Sequence, residues 1–362
     1  MQTLTFSPIR RSACLATLLV CLMAIQPAQA WDEDGHSIVA HLAIEQLPPN
    51  MPDWLRSPEF RTRLIYLSSE PDRWRGQHHD QLDHLNIPDH YFDVEQLEIN
   101  GLSLKTLPPY RREFLDLLAT RRALKPELFP PYDRAKDAAY TRLSPGMLPY
   151  RIAELQWQVA SSWTTLKTYE QNRELVTYDL IRNARENVVF HMGLISHFVG
   201  DGAQPLHVTD HHNGWQGPNP QGYTTSRRFH QLIDGGLLSQ FEITPASLGA
   251  RALPPKKISG KDYWPQICAY VDASHEFVEP LYALEKSGDL YKPPGKRFLE
   301  ERLLDGGSML AGIWTAAYEA AVIDDFRVGQ LKAKQGRRAT TRPTSQPSSR
   351  PAEAGAVPVG AE

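Results

Sequence analysis

The chain has 362 residues, with 39 basic and 42 acidic side chains and 29 prolines. So much proline, with no internal period, favours short elements joined by long connections and excludes coiled coils and repeat arrays. Residues 31–331 carry 31 basic and 40 acidic side chains, a net charge of −9, which excludes a polynucleotide-binding surface built from Lys and Arg alone. An acidic domain can still bind phosphate if metal ions supply the positive charge.

Residues 1–30 have the pattern of a secretory signal peptide. Arg10 and Arg11 form a positive start, residues 12–25 an apolar run too short to span a bilayer, and Ala28-Gln29-Ala30 a cleavage site. We therefore expect a secreted or periplasmic protein that begins at Trp31.

A lipoprotein-type cleavage before Cys21 is the alternative, but Val20 is bulky where a small residue is needed. Cleavage after Ala30 leaves Cys268 as the only cysteine, so no intrachain disulfide is expected.

Five stretches of the mature chain show helical spacing of apolar residues, and none shows a useful strand alternation. They are 38–47, in a helix that begins near His36, then 152–166, 188–199, 267–281 and 309–321. The third stretch is apolar nearly all round, which predicts a central, buried helix. The fold class is therefore all-α, a single multi-helix domain over residues 31–331.

Three long connections, 77–107, 125–147 and 208–225, are expected to be functional loops. Residues 332–362 contain six basic and two acidic side chains among Thr, Pro, Ser, Gln and Ala. This composition buries too little apolar surface to offset its ordering entropy, so it predicts a disordered tail.

Two His-x-x-x-Asp pairs carry the chemical signal. His197 and Asp201 lie one turn apart on the apolar helix, His207 follows, and His230 and Asp234 repeat the spacing on a second helix. A single pair of this kind is usually a hydrogen-bonded core histidine with its carboxylate. Two pairs and His207 together favour a shared divalent cation, since an unpaired buried carboxylate is costly.

Further candidates lie upstream of these pairs. His36 lies close to the new N-terminus, and Asp72 and His90 lie in loops. On residue type alone, His78, His79, Asp80, Asp83 and His84 compete with them. We expect His41, His191 and His275 to be core or surface histidines, and the stretch 210–215 either to line a pocket or to cap a loop.

The whole set resembles the trinuclear-zinc superfamily that joins fungal single-strand-specific nucleases of the S-one/P-one type with bacterial zinc-dependent phospholipase C. The resemblance covers Trp31 through about Phe326 and is strongest in His197-Phe198-Val199-Gly200-Asp201 and Gln204-Pro205-Leu206-His207. The ending His230…Asp234 is similar to the nuclease branch, because the phospholipase branch ends in Glu.

The resemblance implies three zinc ions. One would be held by Asp72, His90, His197 and Asp201, and a second by His207, His230 and Asp234. The third would use the amine and carbonyl of Trp31, His36 and the other oxygen of Asp201. Ligation without thiolate suits zinc but leaves manganese and iron open.

The resemblance further implies an endonuclease that cleaves single-stranded DNA or RNA with a zinc-activated water, Asp72 and Asp201 being the catalytic residues. The alternatives are a zinc-dependent phospholipase C acting on lipid head groups, or a helical metalloprotein without catalysis. We expect nucleic acid, nucleotides or phospholipid as substrate, no stable protein partner, and a monomer. Tyr91, Phe92, Trp215 and Tyr223 lie near predicted ligands and could contact either substrate.

Overall fold

The computed structural model describes residues 31–75, 77, 79–258 and 262–340, with side chains through Arg337. The predicted signal peptide and residues 341–362 of the predicted tail lie outside the described residues. The α-helices are α1 Glu33–Glu45, α2 Pro58–Leu67, α3 Glu70–Trp74, α4 Asp80–Asn86, α5 Gln96–Ile99, α6 Arg111–Leu124, α7 Leu148–Gln171, α8 Tyr178–Ala203, α9 Phe229–Gln231, α10 Leu237–Gln240, α11 Pro245–Leu248, α12 Trp264–His275, α13 Val278–Ser287, α14 Pro293–Ala320 and α15 Asp325–Thr340.

Short helical turns join these helices. The 3₁₀ turns are Asp53–Arg56, Ile87–His90, Pro126–Leu128, Arg173–Leu175, Pro205–His207, Gly249–Arg251 and Asp289–Tyr291, and Leu232–Gly236 is a π-helix. Within the described residues, the one β-type pairing is an isolated antiparallel bridge between Phe92 and Gly146. The predicted all-α class is confirmed, and the helices form a single domain.

Helix α8 is the central element. It packs against α1, α2, α7, α12 and α14, and its residues from Met192 to Ala203 are all buried. Because the sequence there is apolar on nearly every face, the helix can be surrounded by others, and His197 and Asp201 are polar side chains that it buries in the core. The functional candidates that α8 carries are therefore shielded from solvent on all sides. None of the described helices is long and apolar enough to cross a membrane.

Two predicted boundaries need correction. The connection 77–107 is not structureless, since it contains α4, the turn Ile87–His90 and α5. Helix α15 runs to Thr340, so residues 332–340, predicted to be disordered, are helical. The first nine residues of that segment are mostly Ala, Lys, Gln and Arg, which favour helix, and the first proline stands at position 343.

Candidate metal centre

Helix α8 places His197 and Asp201 on one face, and both side chains are fully buried. His197 Nδ1 lies 2.8 Å from the carbonyl oxygen of Ser68, so Nδ1 donates its hydrogen there and Nε2 keeps a lone pair. Asp201 Oδ2 lies 3.2 Å from His90 Nδ1 and 3.5 Å from His197 Nε2, whereas Asp201 Oδ1 lies 3.5 Å from His36 Nε2. The two oxygens of one carboxylate thus face different imidazoles.

Helix α1 brings the N-terminal candidates to the same place. His36 is fully buried and its ring stacks on that of His197, with 3.9 Å between centroids. Asp32 caps α1 by accepting the Gly35 N–H at 3.2 Å, and its own N–H donates to the carbonyl of Asp234 at 3.4 Å. Trp31, which is also fully buried, is therefore anchored beside the segment that carries Asp234.

Asp72, which was predicted to lie in a loop, belongs to α3, and Arg75, directly after that helix, is a residue that the sequence analysis missed. Asp72 Oδ1 lies 3.8 Å from both His90 Nδ1 and His197 Nε2. The same oxygen accepts a 2.8 Å hydrogen bond from Nη1 of Arg75, whose side chain is only 10% exposed. The available signal was a basic residue three positions after a candidate ligand, which is too common to single out.

Two hydrogen bonds join His207 to the segment from His90 to Phe92. His207 Nδ1 donates to the His90 carbonyl at 2.7 Å, and the Phe92 N–H donates to the His207 carbonyl at 2.8 Å. His207 Nε2 therefore keeps a lone pair, and it lies 2.9 Å from His230 Nε2. His90 Nδ1 and His197 Nε2 are also 2.9 Å apart. Each pair of converging ring nitrogens suits two ligands of one cation.

The spacing predicted that His230 and Asp234 lie on one regular helix, and the structure differs from this prediction. Helix α9 ends at Gln231 and a π-helix follows, with His230 Nε2 3.3 Å from Asp234 Oδ2. A Cβ at Gly235 would clash with the carboxylate of Asp32, so a larger residue at this position would displace that side chain. Gln204 Nε2 donates to Asp234 Oδ1 at 2.6 Å, leaving Oδ2 to face His230.

Burial controls the charge state of these side chains. It lowers the pKa of His36, His90, His197 and His230 well below the usual range, and that of His207 to about 4. Burial, then the neighbouring Asp72, raises the pKa of Asp201 well above its usual range, and burial does the same for Asp234 against the Gln204 hydrogen bond. The imidazoles are thus in their neutral, metal-binding form, and a cation is what would favour the ionised carboxylates.

Three groups of ligand side chains could hold metal ions, the ligand atoms of each lying within 4.8 Å of one another. The groups are His36, Asp72 and His197; His90, His197 and Asp201; and His207, His230 and Asp234. The last group is the predicted second set, and the middle one falls within the predicted first set. His36 adjoins Asp72 and His197 as well as the predicted Asp201.

Several buried polar atoms of these groups have no hydrogen-bond partner, which indicates whether the groups are suited to binding metal ions. Within the described residues, no hydrogen bond reaches either nitrogen of His36, His90 Nε2, either oxygen of Asp201, His230 Nδ1 or Asp234 Oδ2. Leaving such atoms unpaired in a protein interior is costly. A set of imidazole nitrogens and carboxylate oxygens without thiolate offers what zinc and similar divalent cations bind. The residues present therefore fit a metal cluster.

A fourth group lies outside the predicted ligands. Glu95, Asp210 and His211 are half-buried, and their ligand-type atoms also lie within 4.8 Å of one another. His211 stacks on Trp215 with 3.9 Å between centroids, and the His212 ring is 6.0 Å from that of His230. The stretch 210–215 thus packs beside the third ligand group. Sequence reasoning missed Glu95 because no spacing links it to Asp210.

The remaining histidines have other partners. His41 Nδ1 contacts Arg61, His191 Nδ1 contacts the Ser162 hydroxyl, and His275 Nε2 contacts Glu95. His84 Nδ1 lies 2.7 Å from the carbonyl of Ala139. Among the competitors that the structure describes, His79, Asp80, Asp83 and His84 belong to none of the ligand groups. His78 lies outside the described residues.

The aromatic candidates differ in exposure. Phe92 is fully buried and cannot contact a substrate. Tyr91 is half-buried, and its hydroxyl donates to the carbonyl of Thr141 at 2.5 Å. Trp215 and Tyr223 are half-buried, with ring centroids 4.8 Å apart. Only Tyr91, Trp215 and Tyr223 therefore keep accessible ring surface.

No protein-family model matches the sequence, and a search of curated proteins finds no similar sequence.

Proposed function

We propose that the protein is a zinc-dependent phosphodiester hydrolase that cleaves single-stranded DNA or RNA. The observation that carries the proposal is the Asp201 carboxylate. It is fully buried, receives no hydrogen bond from the described residues, and faces imidazoles of α1, the turn Ile87–His90 and α8. An ionised carboxylate without hydrogen bonds is costly in the protein interior, and cations bound at its two oxygens would remove that cost.

We assign three ions to these residues. Asp72, His90, His197 and Asp201 would hold one, and His207, His230 and Asp234 would hold another. The third would be held by His36, Asp201 and the amine and carbonyl of Trp31. The split between the two oxygens of Asp201 and the anchoring of Asp32 to Asp234 support this assignment. A free amine at Trp31 requires export and cleavage after Ala30.

Bound zinc supplies Lewis acidity and makes a coordinated water acidic near neutral pH. The protein's own groups then orient the reaction. The Nδ1 hydrogens of His197 and His207 are fixed on backbone carbonyls, which sets both ring orientations. Arg75 holds the Asp72 carboxylate. By the resemblance, that carboxylate would orient the attacking water or accept its proton. The planar guanidinium of Arg75 also suits a phosphate oxygen.

Charge and aromatic side chains support nucleic acid as the substrate. Three dications against Asp72, Asp201 and Asp234 give a site of +3 within a domain of net charge −9, so attraction for phosphate is confined to the cluster. Trp215 contacts Tyr223 and stacks on His211, and the ring of the next residue, His212, approaches that of His230. Trp215 and Tyr223 therefore offer ring surface for nucleobases near the ligand group. No stable protein partner is needed, and we propose a monomer.

The direct test is to offer the zinc-loaded mature protein single-stranded DNA, RNA and phosphatidylcholine side by side. We expect hydrolysis of the nucleic acids, its loss in Asp201→Asn, and full activity in Asp116→Asn, which alters an exposed carboxylate on α6 paired with Arg112. Hydrolysis of phosphatidylcholine alone would instead assign a phospholipase, and no hydrolysis by a zinc-replete protein would contradict catalysis.

A further inference from the structure

Two tyrosine rings are stacked on the surface of the connection 125–147. The rings of Tyr132 and Tyr140 lie 4.8 Å apart between centroids with an angle of 15° between their planes, and each residue is 36% exposed. The Tyr132 hydroxyl donates to the carbonyl of Asp137, which fixes the orientation of that ring. Tyr132 and Tyr140 thus form an ordered aromatic surface in contact with solvent, which we call the tyrosine platform.

The backbone of Tyr140 is strained. Its φ is +56°, in the left-handed region that a bulky residue rarely adopts. The carbonyl before it, that of Ala139, accepts a hydrogen bond from His84 Nδ1 at 2.7 Å. The carbonyl after it, that of Thr141, accepts one from the Tyr91 hydroxyl at 2.5 Å. Contacts on both sides therefore hold a conformation that Tyr140 disfavours, and strain maintained in this way is a feature of binding sites.

The same contacts place the tyrosine platform next to the candidate metal centre. His84 belongs to α4, and Tyr91 directly follows the candidate ligand His90. The antiparallel bridge between Phe92 and Gly146 continues the pairing of these two segments. A strand that extends from the metal centre past Tyr91 would therefore meet the tyrosine platform.

A basic side chain adjoins the rings. The guanidinium carbon of Arg134 lies 5.5 Å from the centroid of the Tyr140 ring. The two acidic side chains nearby have other partners, since Asp133 pairs with Lys136 at 3.0 Å and Asp137 accepts two backbone N–H groups at 2.9 and 3.0 Å. Among the described residues, neither acid forms an ion pair with Arg134, whose exposed side chain remains available to an anion.

We propose that the tyrosine platform and Arg134 bind a nucleotide of a single strand, beyond the nucleotide held at the metal centre. This inference rests on the proposed function, which places the adjoining phosphodiester at the metal ions. Unpaired bases of any sequence stack on aromatic rings, and arginine contributes both cation–π contact and a hydrogen bond to phosphate. The strain at Tyr140 then has a use, because it presents a ring where glycine or asparagine would be accommodated more easily.

Loss of the Tyr140 ring should weaken the binding of a long strand but not of a short one. Tyr140→Asn removes the ring and should keep the fold, since asparagine tolerates the left-handed region. Tyr140→Phe keeps the ring and should bind like the wild type. Tyr178→Asn is the matched control, because it removes a tyrosine that is 75% exposed at the start of α8.

Fluorescence anisotropy with labelled phosphorothioate thymidine oligomers measures this binding in the zinc-loaded mature protein. These oligomers keep the charge of the backbone and resist hydrolysis. We expect Tyr140→Asn to weaken the binding of an oligomer of about 12 nucleotides roughly tenfold and to leave that of a dinucleotide unchanged. Arg134→Gln should weaken the binding of the same oligomer and reduce its dependence on salt.

The proposal is overturned if Tyr140→Asn, shown to be folded by circular dichroism, binds the long oligomer as tightly as the wild type does. It is equally overturned if the wild-type protein binds the long oligomer no better than the dinucleotide. Binding to phosphatidylcholine vesicles that Tyr140→Asn abolishes, with oligomer binding unchanged, would assign the tyrosine platform to lipid instead. Because binding is measured without turnover, failure to hydrolyse an unmodified strand would contradict the proposed function separately.

Discussion

A methyl group at position 200 should remove His36 from the metal centre. A Cβ built on Gly200 lies 2.8 Å from His36 Nδ1 and 3.3 Å from its Cε1. Since non-bonded heavy atoms rest at about 3.5 Å, the ring must retreat by about 0.7 Å. Metal–ligand distances tolerate only about 0.2 Å, so a displacement of this size is enough to lose the ligand.

The cost in stability should be small. Overpacking a core costs about 1–3 kcal/mol, and Ala gains about 1 kcal/mol over Gly inside a helix. Packing and helix propensity together should therefore lower the free energy of unfolding of Gly200→Ala by about 0–2 kcal/mol, apart from the contribution of any lost ion. Gly202→Ala, on the same helix as Gly200, is the matched control. Its Cβ would lie 2.7 Å from Cε1 of Tyr270, a residue of α12 that is not a candidate ligand.

The assay is zinc per chain by elemental analysis, with urea unfolding and hydrolysis rates measured on the same preparations. We expect Gly202→Ala to keep its zinc and activity, and Gly200→Ala to lose a zinc ion, most of its activity and more stability than the control, because the lost ion also contributes folding free energy. If Gly200→Ala held as much zinc as Gly202→Ala and hydrolysed substrate equally fast, His36 would not be a ligand.

Four further outcomes are expected. Asp201→Asn should lower activity by roughly a hundredfold or more because it weakens two metal positions, and full zinc content with near-normal turnover would contradict this. Chelation should lower the melting temperature as well as activity, since metal binding contributes folding free energy; an unchanged melting temperature after verified metal removal would oppose it. Protein with one residue added before Trp31 should bind less zinc and react more slowly than protein starting at Trp31, and equality would show that the amine is not a ligand. The Glu95–His275 pair should stabilise the fold most between pH 4.5 and 6.5, and urea unfolding of His275→Gln would refute this if its loss of stability did not change with pH. The hydrogen bond and charge of Glu95 outweigh burial and raise the pKa of His275 above 6.5, so the stabilisation is lost as pH rises through the raised value. Hydrogen bonds from His275 and Thr209 outweigh burial and lower the pKa of Glu95 from 4.5 to about 2, so the stabilisation is lost as pH falls through that range.

The central helices and most candidate ligands were predictable because their signals are local. The apolar run around His197 specifies a buried helix whatever surrounds it, and the His-x-x-x-Asp spacing then places two ligand-type side chains on one face. By contrast, α6 buries only Phe114 and Leu118 and exposes Leu115, Leu117 and Leu124. Its apolar residues therefore do not mark a single face, and its periodicity was too weak to detect.

The unpredicted parts of the site depend on contacts between distant segments. Arg75 becomes significant only when α3 packs against α8, and Glu95 only when residues 209 and 210 fold over it. The close approach of Asp32 to Gly235, within the π-helix after Gln231, likewise joins segments that are far apart in the chain. Contacts between such distant segments leave no pattern of residue spacing in the sequence.

The hydrogen bond from Gln204 to Asp234 bears on which ion the group of His207, His230 and Asp234 would prefer. The carbonyl oxygen of Gln204 accepts the Leu206 N–H at 2.7 Å, which turns its amide nitrogen toward Asp234 Oδ1. Oδ1 is thereby engaged, and Oδ2 is the oxygen to which no described residue donates. Large ions take about six to eight oxygen ligands, whereas a small tetrahedral ion takes about four ligands. A neutral side chain that is not itself a ligand would thus favour a small ion over calcium at this position.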